Sequence, residues 1–114
     1  MAIWKIDISY ASDENDFYQT VELDGRRYQL RFTWNQRDAA WRLSVYQPDG
    51  TPLANSRKIV LNIPLLRGEI DERLPLGWIV AYDFTGSNVE AAHDDLGERV
   101  LLIYYDADFI ATGQ

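Results

Sequence analysis

The stretch from Phe17 to Gly50 constrains this chain more than any other, because two short connections inside it fix which residues face one another. The first connection is Asp24-Gly25. Before it stand Phe17, Val21 and Leu23; after it Tyr28, Leu30, Phe32 and Trp34 alternate with Arg27, Gln29, Arg31 and Thr33. Period-two alternation on both sides of Asp-Gly predicts a β-hairpin, since a type I′ turn needs positive φ at both central residues. A two-residue loop then sets the register. Leu23 faces Arg26 at the tip, Glu22 faces Arg27, Val21 faces Tyr28 and Phe17 faces Phe32, with Gln19 opposite Leu30 as the one mismatched pair beyond the tip. The second connection, Asn35 to Ala40, leads into Trp41, Leu43 and Val45 alternating with Arg42, Ser44 and Tyr46. If Trp34 faces Trp41, then Phe32 faces Leu43 and Leu30 faces Val45. Gln47-Pro48-Asp49-Gly50 closes the meander as a type I turn, with proline second and glycine fourth. A slip of one residue would turn every large side chain to the wrong face, so pattern and turns specify one register together.

The rest of the chain reads as more strands. Trp4, Ile6, Ile8 and Tyr10 alternate with Lys5, Asp7 and Ser9, predicting a first strand, and Ala11 to Asp16 is an acidic loop. Arg57 to Ile63 alternates through Ile59, Leu61 and Ile63. In Pro64 to Leu76, the residues Leu65, Leu66, Glu69, Ile70 and Arg73 predict one or two helical turns, limited by Gly68 and Pro75. Trp78 to Phe84 is an apolar run, and Thr85 to Gly97 a long polar loop. Leu96 to Tyr105 is the last strand; its unbroken Val100-Leu101-Leu102-Ile103 predicts burial on both faces. Ala107 to Gln114 frays. The expected architecture is all-β: a small antiparallel β-sandwich or partly open barrel of about seven strands, with at most one short helix. One domain spans residues 1–114, with a core over roughly 3–106.

Composition narrows the function classes. The 114 residues contain no cysteine, which removes disulfides and thiolate zinc sites. No basic leader followed by an apolar stretch opens the chain, and no apolar run approaches the ~20 residues that span a bilayer, so a protein made in a cytoplasm, with no membrane partner, is expected. The net charge of −7 argues against nucleic acid. That charge is segregated: −5 over residues 1–25, +5 over 26–58 and −7 over 59–114. A basic middle between acidic ends points to complementary surfaces within the fold or between copies.

Catalytic constellations are weak. His93 is the sole histidine, and although Ser87, Asp94 and Asp95 lie near it, no strained G-x-S-x-G elbow presents a nucleophile. A loop histidine is the simpler reading. Asp13, Glu14, Asn15 and Asp16 lack the spacing of a calcium loop and read as a solvated acidic turn. Neither a dinucleotide fingerprint nor a P-loop is present. Eighteen acids always offer some close carboxylate pair, but spacing alone does not place one in a cleft. Trp4, Trp34 and Trp41 fall on the apolar parity of their strands, which favours core packing over a sugar-stacking platform; Trp78, just after Gly77, is open to either assignment. The residues therefore imply no catalytic group, no metal site and no cofactor.

The polar face of the meander carries the candidate contact residues. Arg27, Arg31 and Arg42 project outward on neighbouring strands beside Tyr18, Tyr46 and Glu22. Arg and Tyr together are enriched in protein–protein contact cores. An ordinary charged outer face, which guards a sheet against edge pairing, is the competing reading.

Three segments in order, Gln19-Thr20-Val21-Glu22-Leu23-Asp24-Gly25-Arg26-Arg27-Tyr28-Gln29-Leu30, then Trp41-Arg42-Leu43-Ser44-Val45-Tyr46 with Asp49-Gly50-Thr51-Pro52-Leu53, then Leu96-Gly97-Glu98-Arg99-Val100-Leu101-Leu102-Ile103-Tyr104-Tyr105, resemble the cyanophage-type baseplate plug proteins of contractile-tailed phages. The likeness runs from about Phe17 to Asp106 and departs at Pro64 to Leu76 and at the bulky Trp78. It implies a non-enzymatic virion protein, synthesised in the host cytoplasm and built into the tail baseplate near its central axis. Hub, tube and spike proteins would be its partners, and copies could associate within the assembly. The alternative class is a carbohydrate- or protein-binding β-sandwich module, in which Trp78 or a loop aromatic lies exposed on a concave surface.

Overall fold

In the computed structural model, which describes residues 3–8, 10, 13–69, 71–87 and 89–107, seven strands form two antiparallel sheets. They are β1 (Ile3–Ile6), β2 (Asp16–Leu23), β3 (Arg26–Asn35), β4 (Ala40–Tyr46), β5 (Pro52–Lys58), β6 (Trp78–Asp83) and β7 (Val100–Tyr105). One sheet has the order β1-β7-β6, the other β2-β3-β4-β5. Among the described residues no closed barrel forms, and none of the seven elements is a helix.

The meander has the register its sequence dictates. Leu23 pairs with Arg26, Glu22 with Arg27, Val21 with Tyr28 and Phe17 with Phe32. Trp34 pairs with Trp41, Phe32 with Leu43 and Leu30 with Val45. Asp24 and Gly25 both take positive φ, at 53° and 75°, as a type I′ turn requires. The Gly50 amide donates to the Gln47 carbonyl at 2.9 Å, closing the predicted turn.

Five expectations are corrected. The first strand ends at Ile6 instead of reaching Tyr10, and Ser9 lies outside the described residues. The fifth strand is Pro52–Lys58, not Arg57–Ile63. Because the turn at 47–50 reverses the chain at once, Tyr46 already pairs with Pro52; bulges against β4 and a left-handed Ser56 (φ 53°) then scramble the alternation that would have shown the strand. The segment after it crosses between the sheets. The Ile59 amide bonds the Trp41 carbonyl, while Leu61 and Pro64 bridge to Ala81 and Val80 of β6.

Among the described residues of Pro64 to Leu76 there are isolated turns instead of helical ones, from Arg67 to Pro64, Glu69 to Leu66 and Leu74 to Asp71. Gly68 at φ 91° and Pro75 end each before a second helical bond can form; Ile70 lies outside the described residues. The last strand begins at Val100 rather than Leu96, because Gly97 takes φ 85°. Its burial is one-sided: Val100, Leu102 and Tyr104 are buried, while Leu101, Ile103 and Tyr105 are half-exposed. Of the tail expected to fray, only Ala107 is among the described residues, and its amide is bonded to Asp24.

One core joins the sheets. Phe17, Leu23, Tyr28, Leu30, Phe32, Trp41, Leu43 and Val45 from one sheet meet Ile6, Ile79, Ala81, Val100, Leu102 and Tyr104 from the other. Trp41 is 1% exposed, and Trp4 and Trp34 pack against this core, as their parity predicts. Stacked Phe17 and Phe32 rings, 5.0 Å apart, and the edge-on Trp34–Trp41 pair at 5.6 Å add aromatic contacts to the burial.

Candidate contact surfaces

Alternation in β2, β3 and β4 buries one face and turns the other outward, which brings the five predicted residues together on the outer face of the four-stranded sheet. Tyr18 lies opposite Arg31, and Arg31 opposite Ser44; Glu22 lies opposite Arg27. Tyr18 is 51% exposed and its ring lies 6.1 Å from that of Tyr46 across β3, with the Arg31 guanidinium 5.4 Å from the Tyr18 centroid.

Two of the three arginines are engaged within the chain. Arg31 makes a bidentate pair with Asp16, Nε to Oδ1 at 2.8 Å and Nη2 to Oδ2 at 2.6 Å. This pairing holds the Asp16 carboxyl below its ordinary range and raises the already high Arg31 pKa. Arg42 donates to Asp38 Oδ2 at 2.7 Å and to the Ser56 carbonyl at 2.8 Å. The face is thus a lattice of alternating charge with an aromatic pair set into it. Such a lattice offers a partner both signs of charge at fixed positions, which favours specificity over raw affinity.

The outer face of the three-stranded sheet escaped the sequence reading. Registers align Ile3, Tyr105 and Trp78 in one row and Lys5, Ile103 and Val80 in the next, followed by Leu101 beside Tyr82. Ile3, Trp78, Tyr82 and Phe84 are all exposed large hydrophobics, and the Tyr82 and Phe84 rings meet edge-on at 4.9 Å. Lys5 is the only charge in these rows. A contiguous apolar face of this kind is uncommon on a lone subunit. The signal was in the sequence: Val100 to Tyr105 and Trp78 to Tyr82 are apolar on both parities, as in a strand covered on both faces. Among the described residues only one face is covered by the chain itself.

Trp78 also borders a cleft of about 620 Å³ with Leu66, Leu74, Pro75 and Ile79. Glu69 and Asp71 on its rim are paired with Arg57 and Arg73, both at 2.6 Å.

The polar loop 85–97 is organised by two side chains. Arg99 donates to Asp83 at 2.7 Å, to Asp95 at 2.8 Å and to the carbonyls of Val89 and Glu90. Buried Asp83 also accepts from the Ser87 hydroxyl and from the Thr85 amide and hydroxyl. These bonds, that from Ser87 foremost, hold its carboxyl well below the usual range. His93 wedges against Trp34, Trp41 and Tyr10, with ring centroids at 5.2, 5.0 and 5.9 Å. Its Nε2 sits 2.7 Å from the Glu14 carbonyl and its Nδ1 2.9 Å from Asp94. Ser87 is thereby committed to Asp83 and Arg99 while His93 joins a different set of groups. The structure does not bring the serine, histidine and aspartate together as a triad. Asp13 to Asp16 likewise form no metal cluster among the described residues.

Residues 3–107, a span that takes in all seven strands, match the family model for cyanophage baseplate Pam3 plug gp18. No curated protein matches the chain.

Proposed function

We propose, from the premise that this chain belongs to the cyanophage baseplate plug family, that it is a non-catalytic structural subunit near the central axis of a contractile tail, held there by hub, tube or spike proteins. Membership of the family puts the protein in the virion tail and in association with other baseplate proteins. No helix of the described chain is long and apolar enough to cross a membrane.

The observation that carries the finer reading is the pair of unlike outer faces. One is a charged and aromatic lattice around Arg27, Arg31, Arg42, Tyr18 and Tyr46; the other is the apolar face of Ile3, Trp78, Tyr82 and Phe84. A subunit wedged between several neighbours needs more than one contact face. Apolar burial supplies affinity to such contacts, and a fixed charge pattern selects the partner.

Charge reversal of Arg27, Arg31 and Arg42 together is expected to abolish incorporation into baseplates. Unchanged assembly would remove this face from the interface. The carbohydrate-module reading keeps one supporting observation, the half-exposed Trp78 on its cleft. Glycan titration that quenches Trp78 fluorescence would favour it, whereas burial of Trp78 on addition of baseplates favours the structural reading.

A further inference from the structure

The outer edges of the two sheets are guarded unequally. β1 is only four residues long. β6 is covered by the crossing segment, through Leu61–Ala81 and Pro64–Val80 bridges and the Leu65 amide bonded to the Ile79 carbonyl at 2.8 Å. β5 carries Pro52, the left-handed Ser56 and register shifts. β2 has none of these devices. Its eight residues pair with β3 without a bulge, and they include no proline, lysine or arginine. Proteins blunt exposed edges because an unpaired row of backbone groups recruits strands. A long, regular edge whose only guard is the pair of acids Asp16 and Glu22 is the exception that calls for an occupant.

The direction of its backbone groups follows from the turn. A two-residue loop makes Leu23–Arg26 a doubly bonded pair, and such pairs recur at every second residue. The Asn15 carbonyl, accepting from the Trp34 amide at 2.8 Å, continues that parity. The N–H and C=O groups of Asp16, Tyr18, Thr20 and Glu22 therefore point away from β3. All four residues are exposed, and no strand among the described residues pairs with this side.

We propose that the β2 edge accepts an extended strand from a neighbouring baseplate subunit, one carrying Lys or Arg at two positions six residues apart that fall beside Asp16 and Glu22. The identity of the donor as a baseplate subunit rests on the function proposed above; the edge itself does not. Charge selects this occupant over a second copy. The only charges on β2 are Asp16 and Glu22, with Asp13 and Glu14 before it and Asp24 after it. Two copies pairing antiparallel about Gln19 would set Asp16 of each opposite Glu22 of the other, and like charges directly opposite destabilise a pair. A cation beside Asp16 instead extends the alternation that Arg31 begins. The incoming backbone supplies the affinity and the alternate side chains supply the selectivity.

Thr20→Pro tests the proposal. The Thr20 amide points outward, so proline there removes no bond to β3 but blocks the incoming strand. Incorporation into baseplates assembled without the plug is measured for the wild type, Thr20→Pro and Thr20→Ala. Thr20→Pro is expected to keep the wild-type circular dichroism and lose incorporation by at least ~10-fold, with Thr20→Ala incorporating normally. Equal incorporation of Thr20→Pro overturns the proposal. A wild-type dimer in sedimentation that Thr20→Pro dissociates gives the edge to a second copy and overturns the assignment to a neighbour. Hydrogen exchange of the wild type provides a test that needs no variant. The Tyr18, Thr20 and Glu22 amides gain protection on incorporation if the edge is occupied, and unchanged exchange overturns the proposal. Failure of the wild type itself to enter baseplates would instead overturn the proposed function.

Discussion

The Tyr104 hydroxyl donates to the carboxylate of Asp24, 80 residues away in the chain, and accepts from the Gly77 amide at 2.8 Å. Asp24 also accepts from the Ala107 amide at 3.1 Å. The tip of the β2–β3 turn is thereby tied to the end of β7 in the opposite sheet. A residue whose conformation makes the hairpin also locks the two sheets together. Tyr104→Phe removes the hydroxyl and leaves the Gly77 donor unmet in a part-buried site, at an expected cost of about 1–3 kcal/mol. Urea denaturation should show a lower midpoint at unchanged slope.

Gly77 is needed for space. A Cβ at this position would lie 2.0 Å from the Tyr105 carbonyl oxygen and 2.7 Å from the Tyr104 ring. The nearer obstacle is backbone and cannot rotate away. Gly77→Ala is expected to cost about 3 kcal/mol, seen as a lower thermal midpoint, and to disturb β7 more than β3 in amide exchange.

His93→Ala separates the two roles of this residue. The backbone carbonyl that accepts from the Tyr10 hydroxyl (2.5 Å) and the Trp41 indole (3.0 Å) remains, whereas the ring between Glu14, Asn15 and the Trp pair is lost. The expected loss is about 1–3 kcal/mol, with red-shifted tryptophan emission and faster exchange at both 13–16 and 89–97. A wild-type emission spectrum would contradict the wedge.

Stability should fall at both ends of the pH scale. Bonds from Arg73 hold the Asp71 carboxyl down at about 2, and Asp16, Asp38, Asp49, Asp83 and Asp95 are also lowered. Unfolding therefore takes up protons below the ordinary carboxylate pKa of ~4. This contribution is complete above that pH and is lost as pH falls toward the folded values. Burial, followed by the charge of Asp94, pushes the Tyr10 hydroxyl up to about 12, and burial raises Tyr104 further. The unfolded phenols ionise near ~10, so this contribution is complete below that pH and is lost as pH rises through the folded values. Denaturant midpoints measured from pH 2 to 12 should trace a plateau with both shoulders.

Trp78→Gln with Tyr82→Gln tests the apolar face. Both side chains are more than 40% exposed, so the double variant should stay within about 1 kcal/mol of the wild-type stability. It should enter baseplates poorly. Normal incorporation would show that the face is not a contact.

The meander was legible because three local devices agree. Asp24-Gly25 sets the turn, period-two alternation sets the faces, and the two-residue loop leaves a single register. The same logic put Tyr18, Arg27, Arg31, Arg42 and Tyr46 on one outer face. It was silent on Asp16 and Asp38, which neutralise two of those arginines, because an ion pair depends on distances that no spacing rule supplies. β5 was displaced in the reading because bulges and a left-handed serine erase alternation.

By itself, then, the sequence determined the class of fold, the register of its central meander, the burial of Trp41 and the family. Each follows from local conformational preference or from patterns along the chain. Only the tertiary structure decided that β1 pairs with β7, that Tyr104 meets Asp24 and that Arg99 and His93 organise the long loop. These contacts join residues far apart in sequence, and their geometry depends on how both sheets pack. It also decided that the second apolar face of β7 and β6 is left uncovered by the described chain. Apolarity on both faces of a strand says that both prefer to be buried, but not whether the cover comes from the same chain or from a neighbour.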